Sequence, residues 1–164
     1  MGRDRKLISV LVLALLVAGC SSGPNPGGTG ANPGATPTAS PASQEGLCSL
    51  FTREEIEELL GTPVENGDVA GPLGTACQWN GSADDSAYAQ VQVISDTTYW
   101  EKPTLAEGYE QLDGIGKEAF VVPELGGWRA GAVTDASVIM VSVSGGTSNR
   151  DTAIRLLRSS LERL

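Results

Sequence analysis

Ser137-Val138-Ile139-Met140-Val141-Ser142-Val143-Ser144 is the stretch from which the fold can be worked out. Val138 and Met140 point to one side of an extended chain, and Ile139, Val141 and Val143 to the other. A strand apolar on both faces is shielded from water on both, so this segment is expected as an inner strand of a sheet. The chain then turns through Gly145-Gly146 into a helical pattern. Ser148 and Asp151 fit a capping box, and Ile154, Leu157, Leu161 and Leu164 recur at helical spacing with Ala153 and Leu156 beside them. Asp151 and Arg155 form an acid-before-base pair at i,i+4. Arg150, Arg155, Arg158 and Arg163, interleaved with Asp151 and Glu162, read as a mixed, solvated helix face.

Working back from this centre, Trp128 to Val133 and Ala119 to Val122 read as two more strands. Thr104 to Leu112 has a capping box, Thr104 with Glu107, and places Leu105, Tyr109 and Leu112 on one face, so a short helix is expected there despite Gly108. Tyr88 to Ile94 alternates Ala89, Val91 and Val93 against Gln90 and Gln92, and Cys77-Gln78-Trp79 alternates before a polar loop. The pair predicts a hairpin with one wet face. A further helix is signalled by Thr52 with Glu55 as a capping box, Phe51 with Ile56 as a hydrophobic staple, and Gly61 as a stop. Its Glu residues read as a solvated face. The expected fold is therefore α+β: a mainly antiparallel, twisted sheet of about five strands, with the N-terminal and C-terminal helices packed on one face. Its other face, bearing Gln90 and Gln92, is expected to lie open.

The start of the chain is made of different material. Arg3, Arg5 and Lys6 precede an apolar run from Leu7 to Ala18, shorter than the roughly 20 residues that span a bilayer, and this reads as an export signal. Val17-Ala18-Gly19-Cys20 resembles the lipobox of bacterial lipoproteins. That resemblance implies residues 1–19 as a cleaved signal peptide and Cys20 as a lipidated N-terminus, with two acyl chains giving stable anchoring. Residues 21–44 are Gly, Pro, Ser, Thr, Ala, Asn and Gln without a charge. They cannot bury enough apolar surface to offset their ordering entropy, so 20–44 is expected as a lipidated, disordered tether reaching roughly 25–30 Å. Its Thr and Ser among Pro and Ala resemble O-mannosylated stretches. Residues 45–164 remain as a single globular domain.

Charge and composition narrow the function. The chain has 20 acidic residues against 11 basic, a formal net charge of −9, and no histidine. Cleavage after Gly19 would remove Arg3, Arg5, Lys6 and Asp4 and leave −11. Such a chain repels nucleic acid and anionic lipid head groups, so no nucleic-acid partner is expected. The absent histidine removes Ser-His-Asp and Cys-His catalysis and His-containing zinc sites. In an exported chain with Cys20 accounted for, Cys48 and Cys77 have one possible pairing, a disulfide.

Other motifs do not survive their context. Gly114-Ile115-Gly116-Lys117-Glu118-Ala119 fits G-x-G-x-x-A, but a polar segment precedes it and a strand follows, where a dinucleotide site needs a strand and then a helix. Glu118 stands where a phosphate-binding loop needs Ser or Thr. Asp84-Asp85 lacks EF-hand spacing. No catalytic, cofactor or metal residue is expected, and the protein is not expected to be an enzyme. Trp79, two residues from Cys77, points with it into the core. Tyr99, Trp100 and Trp128 sit in or beside loops and are candidates to line a pocket for a small ligand.

Cys48-Ser49-Leu50-Phe51-Thr52 leading to Leu60-Gly61, then Cys77-x-Trp79, then Gly114-Ile115-Gly116-Lys117-Glu118-Ala119, with two strands and a terminal helix after it, resembles the actinobacterial exported lipoproteins grouped as domain of unknown function 3558. The resemblance covers nearly all of residues 45–164 and implies a lipoprotein domain with a Cys48–Cys77 bridge and no stated activity. The expectation is thus a lipoprotein on the extracytoplasmic face of the cell membrane, with the membrane as partner through Cys20. Its non-catalytic domain would bind a small ligand or an envelope protein. The alternatives are a lipid or glycolipid carrier and a histidine-free hydrolase using paired carboxylates.

Overall fold

Val138–Ser144 is the central strand of a seven-stranded sheet in the computed structural model, which describes residues 44–71, 75–83 and 85–164. The strands are β1 (Asp68–Ala70), β2 (Ala76–Asn80), β3 (Tyr88–Ile94), β4 (Glu110–Leu112), β5 (Glu118–Glu124), β6 (Gly127–Val133) and β7 (Val138–Ser144). The helices are α1 (Gln44–Cys48), α2 (Arg53–Leu60) and α3 (Arg150–Arg163), with a 3-10 turn at Thr97–Tyr99. The sheet order is β1-β2-β3-β7-β6-β5-β4, and every neighbouring pair is antiparallel. The inner position expected of β7 follows from its two apolar faces.

The sheet has seven strands, not five. β1 and β4 are the additions, each three residues long and each at an edge, too short to show alternation in the sequence. Short edge strands limit the row of unpaired backbone groups offered to other chains. β4 also replaces the helix expected over Thr104 to Leu112. Gly108 has φ +76°, outside helical backbone, and a Cβ there would come within 2.8 Å of Pro123 Cγ, so the chain must run tight against β5. Leu105 is fully exposed, while Gln111 pairs with Phe120 across the ladder.

Cys77, Val91, Val141, Ala130 and Val121 stand opposite one another across five strands, and all are buried. Together with Ile56 and Leu60 of α2 and Ala153, Leu156 and Leu157 of α3 they form the core. Burying a side chain such as Leu156 contributes about 1.5–3 kcal/mol. The N-terminus of α2 is built as the sequence predicts: Thr52 Oγ1 accepts from Glu55 N–H at 3.2 Å, and Thr52 N–H donates to Glu55 Oε2 at 2.8 Å. Gly61 N–H donates to Glu57 O at 2.8 Å and closes the helix. The start of α3 differs from expectation. Asn149, not Ser148, is its cap, with Oδ1 accepting from Thr152 N–H at 3.0 Å. The stripe of α3 that packs on the sheet is Thr152, Ala153, Leu156, Leu157 and Ser160. Ile154 and Leu161 are left half-buried, and Leu164 is exposed.

The disulfide Cys48–Cys77 is present and ties α1 to β2. Beside it, Trp79 is buried in edge contact with Phe51 at 6.1 Å, as its spacing from Cys77 predicts. The opposite sheet face is only half open. Gln90 Nε2 donates to Gln78 Oε1 at 3.1 Å, and Gln78 Nε2 to Asn80 Oδ1 at 2.6 Å, on its polar half. On the other half Phe120 is buried beneath Trp100 and Tyr109, with ring centroids 5.5 and 6.0 Å away. The connection from β3 to β4 thus covers a face expected to be bare.

Candidate functional site

α3 turns its half-buried residues toward the turn that joins β4 to β5, and a groove runs between them. That turn is Asp113-Gly114-Ile115-Gly116. Ile115 is buried and anchors it, and Gly116 adopts φ +56° where a Cβ would come within 2.6 Å of Val133 O. Lys117 N–H then donates to Val133 O at 2.8 Å, which starts β5. The glycines of the G-x-G motif therefore serve a tight turn. The groove has two hollows that meet at Arg158. One, of about 330 Å³, is lined by Leu112 and Asp113 from the β4 side and by Arg150, Ile154 and Arg155 among the α3 residues. The other, of about 280 Å³, runs along Gly114–Gly116, Leu161 and Glu162.

The arginines of α3 divide into two kinds. Arg150 is committed: its Nε donates to Glu110 Oε2 at 2.8 Å, its Nη2 reaches Glu110 Oε1, and its Nη1 donates to Asp151 Oδ1 at 2.7 Å. The guanidinium holds the Glu110 carboxyl below the usual range, and Glu110 in turn raises Arg150. Arg163 is committed as well, donating to Leu50 O and to Glu55 Oε1 at 2.8 Å while its guanidinium carbon lies 4.3 Å from the centre of the Phe51 ring. The hydrogen bonds from Arg163 and from Thr52 N–H lower Glu55 to about 2. Arg155 and Arg158, both exposed, form no ion pair or hydrogen bond with any described residue.

Both cations are free for a physical reason. Arg155 has its i−4 acid in Asp151, but Asp151 is taken by Arg150. Arg158 has Glu162 at i+4, the base-before-acid order that pairs poorly on a helix. In the sequence alone all four arginines share a mixed, solvated helix face. What the sequence does not display is the Glu110–Arg150 contact, which spans 40 residues.

The aromatic candidates are not brought together. Tyr99 is largely exposed in the 3-10 turn. Trp100 lies on Phe120, with Nε1 donating to Glu118 Oε2 at 3.0 Å, a bond that with Lys102 lowers the Glu118 carboxyl. Trp128 stands opposite Val143 and packs on the core, on the sheet face away from Trp100. Tyr99, Trp100 and Trp128 therefore line no common pocket. Cys20 lies outside the described residues, as do residues 1–43 generally. Among the described residues no group of three or more Cys, Asp or Glu side chains is placed to hold a metal, and no helix is long and apolar enough to cross a membrane.

Fold and groove together define an antiparallel α+β domain with one disulfide and an arginine-rimmed surface groove. The chain belongs to the family described as protein of unknown function (DUF3558), whose sequence pattern matches residues 15–161. No curated protein and no solved structure matches the chain significantly.

Proposed function

We propose that this protein is an extracytoplasmic lipoprotein, held to the cell membrane by lipid on Cys20, whose domain is a non-catalytic binding module that uses the α3 groove. The observation that carries the binding role is the pair of unpartnered guanidiniums, Arg155 and Arg158, above the apolar side chains of Leu112 and Ile154. Concave, part-apolar surfaces with a few convergent polar groups are where small ligands bind. The extracytoplasmic setting is supported by the Cys48–Cys77 disulfide, since such bonds persist in oxidising compartments. α2 and α3 are taken to cover the same sheet face, a reading supported by the single core that unites them with Val91, Val141 and Ala130.

A carrier is less well supported, because it needs an enclosed apolar cavity and Leu156, Leu157, Ile139 and Val141 fill the space under α3. A carboxylate-pair hydrolase needs one acid held protonated. Glu55, Glu110 and Glu118 are instead each lowered by hydrogen-bonding partners. The test is photo-crosslinking in intact cells, with a benzophenone amino acid at Leu112 in the groove or at Glu58 on α2 as control. Adducts from position 112 alone are expected. Absence of adducts from 112, or equal labelling from 58, refutes the groove as the contact surface.

A further inference from the structure

We propose that the occupant of the groove is a soluble organic phosphate carrying a small apolar group, bound through Arg155 and Arg158. The inference rests on the reading of the groove as the binding surface and adds the class of ligand.

The first argument is charge. The chain has nine more acids than bases, so a cation left unpaired does not reflect a shortage of carboxylates. Arg150 and Arg163 both found partners on other elements, β4 and α2. Arg155 and Arg158 did not, and both line the same hollow. They are three residues apart on one helix, which places their Cβ atoms about 5–6 Å from each other. Two guanidinium forks at that spacing are suited to one group with several oxygens. A carboxylate occupies a single fork, whereas a phosphate has oxygens for both.

The second argument is the remainder of the lining. Arg150 is shared by Glu110 and Asp151, and Asp113 is the one carboxylate lining this hollow without an ion pair, as Glu162 is in the adjoining one. Arg155 and Arg158 are the cations left to meet an anionic group, which Asp113 opposes from the β4 side. Leu112 and Ile154, and Ile115 and Leu161 in the adjoining hollow, offer apolar contact to a body attached to the phosphate. The hollow of about 330 Å³ lies at the lower end of the range for small-molecule sites, about 300–1,000 Å³, and that of about 280 Å³ falls just below it. A phospholipid head group in an anionic bilayer is disfavoured relative to a small soluble phosphate, because the extended bilayer surface repels the acidic chain as a whole whereas one small anion meets chiefly the local field of Arg155 and Arg158.

The experiment uses the full lipidated chain in nanodiscs of phosphatidylcholine and follows backbone amide resonances as hexyl phosphate, hexanol or inorganic phosphate is added. Hexyl phosphate is expected to shift residues 112–116 and 150–162. Hexanol and inorganic phosphate, each lacking one half of the recognition, should bind at least about tenfold more weakly. The double variant Arg155→Gln/Arg158→Gln should lose about tenfold or more in affinity, as expected for the loss of charge-assisted hydrogen bonds. Asp113→Asn should tighten binding severalfold, a gain that a folding defect does not imitate. The proposal is overturned if the double variant binds hexyl phosphate as wild type does, if hexanol binds equally well, or if Asp113→Asn weakens binding. If crosslinks form at position 112 while hexyl phosphate leaves residues 112–116 unmoved, the groove stands and the ligand class falls. If neither occurs, both fall.

Discussion

Breaking the Cys48–Cys77 bond should cost this domain much of its stability. The cysteines are 29 residues apart, and the segment they close contains α2, β1 and the start of β2. In the chain-entropy description, freeing a loop of that length destabilises by about 3.5 kcal/mol, against a total of about 5–15 kcal/mol for a typical domain. Two perturbations separate cross-link from packing. Reduction leaves both sulfurs in place and reports the loop term. Cys48→Ala/Cys77→Ala also removes atoms beside Trp79, where Cys77 is fully buried, and should cost about a further 1 kcal/mol for the cavity. In melts followed by circular dichroism, at a few degrees per kcal/mol, reduction is expected to lower Tm by roughly 10–20 °C. Urea titration should give a lower midpoint with a steeper slope, since the unfolded chain without the link exposes more surface. A fall in Tm of less than about 3 °C on reduction would refute the reasoning, because the unfolded chain would then gain little freedom from losing the link.

Glu55 should govern an acid limb of stability. Its folded value of about 2 lies below the ordinary 4.5, so its contribution is complete above about 4.5 and is lost as pH falls toward 2. Glu55→Gln should flatten that limb and cost about 1 kcal/mol at neutral pH by weakening the cap and the partly exposed Arg163 pair, measured by urea titrations at several pH values. The Tyr109 hydroxyl is buried without a hydrogen-bond partner among the described residues. Tyr109→Phe should therefore be neutral or stabilise by up to about 1 kcal/mol, and a loss above about 1 kcal/mol in the same assay would mean that the hydroxyl has a partner. Gly131 faces Met140 Sδ and Phe120 Cε1, which a Cβ would approach to 2.6 and 2.9 Å. Gly131→Ala should destabilise by about 1–3 kcal/mol through overpacking, with near-ultraviolet dichroism reporting the displaced Trp100.

What the sequence made legible was local. The inner position of Val138–Ser144 is written in seven consecutive residues, and α2 carries its own start and stop in Thr52, Glu55 and Gly61. Both were read correctly because burial on two faces and helix capping leave short-range signatures. β4 was not legible, since Glu110-Gln111-Leu112 owes its extended form to pairing with Val121, Phe120 and Ala119 rather than to its own pattern. Capping propensity at Thr104 pointed to a helix that the close approach of Gly108 to Pro123 forbids. At α3 the difference between Ser148 and Asn149 as cap is a single residue. The buried stripe is centred on Ala153, Leu156 and Leu157 and leaves Ile154 and Leu161 beside the groove. The groove itself depends on which arginine finds which acid, and Glu110 reaches Arg150 across a distance in sequence that no spacing rule covers. Tyr99, Trp100 and Trp128 share aromatic character and a place near loops, which does not fix the side of the sheet each one faces. The alternation of β6 sends Trp128 to the far side of the sheet.

A domain held outside the cytoplasm on a lipid tether is the central proposal. Intact mass of the protein extracted from its native membranes, with thiols alkylated before any reduction, tests this directly. The predicted result is a chain that begins at Cys20, carries a diacylglyceryl group, and takes up no alkylating label at Cys48 or Cys77. A chain that begins at Met1, or one whose Cys48 and Cys77 are both labelled, would contradict it.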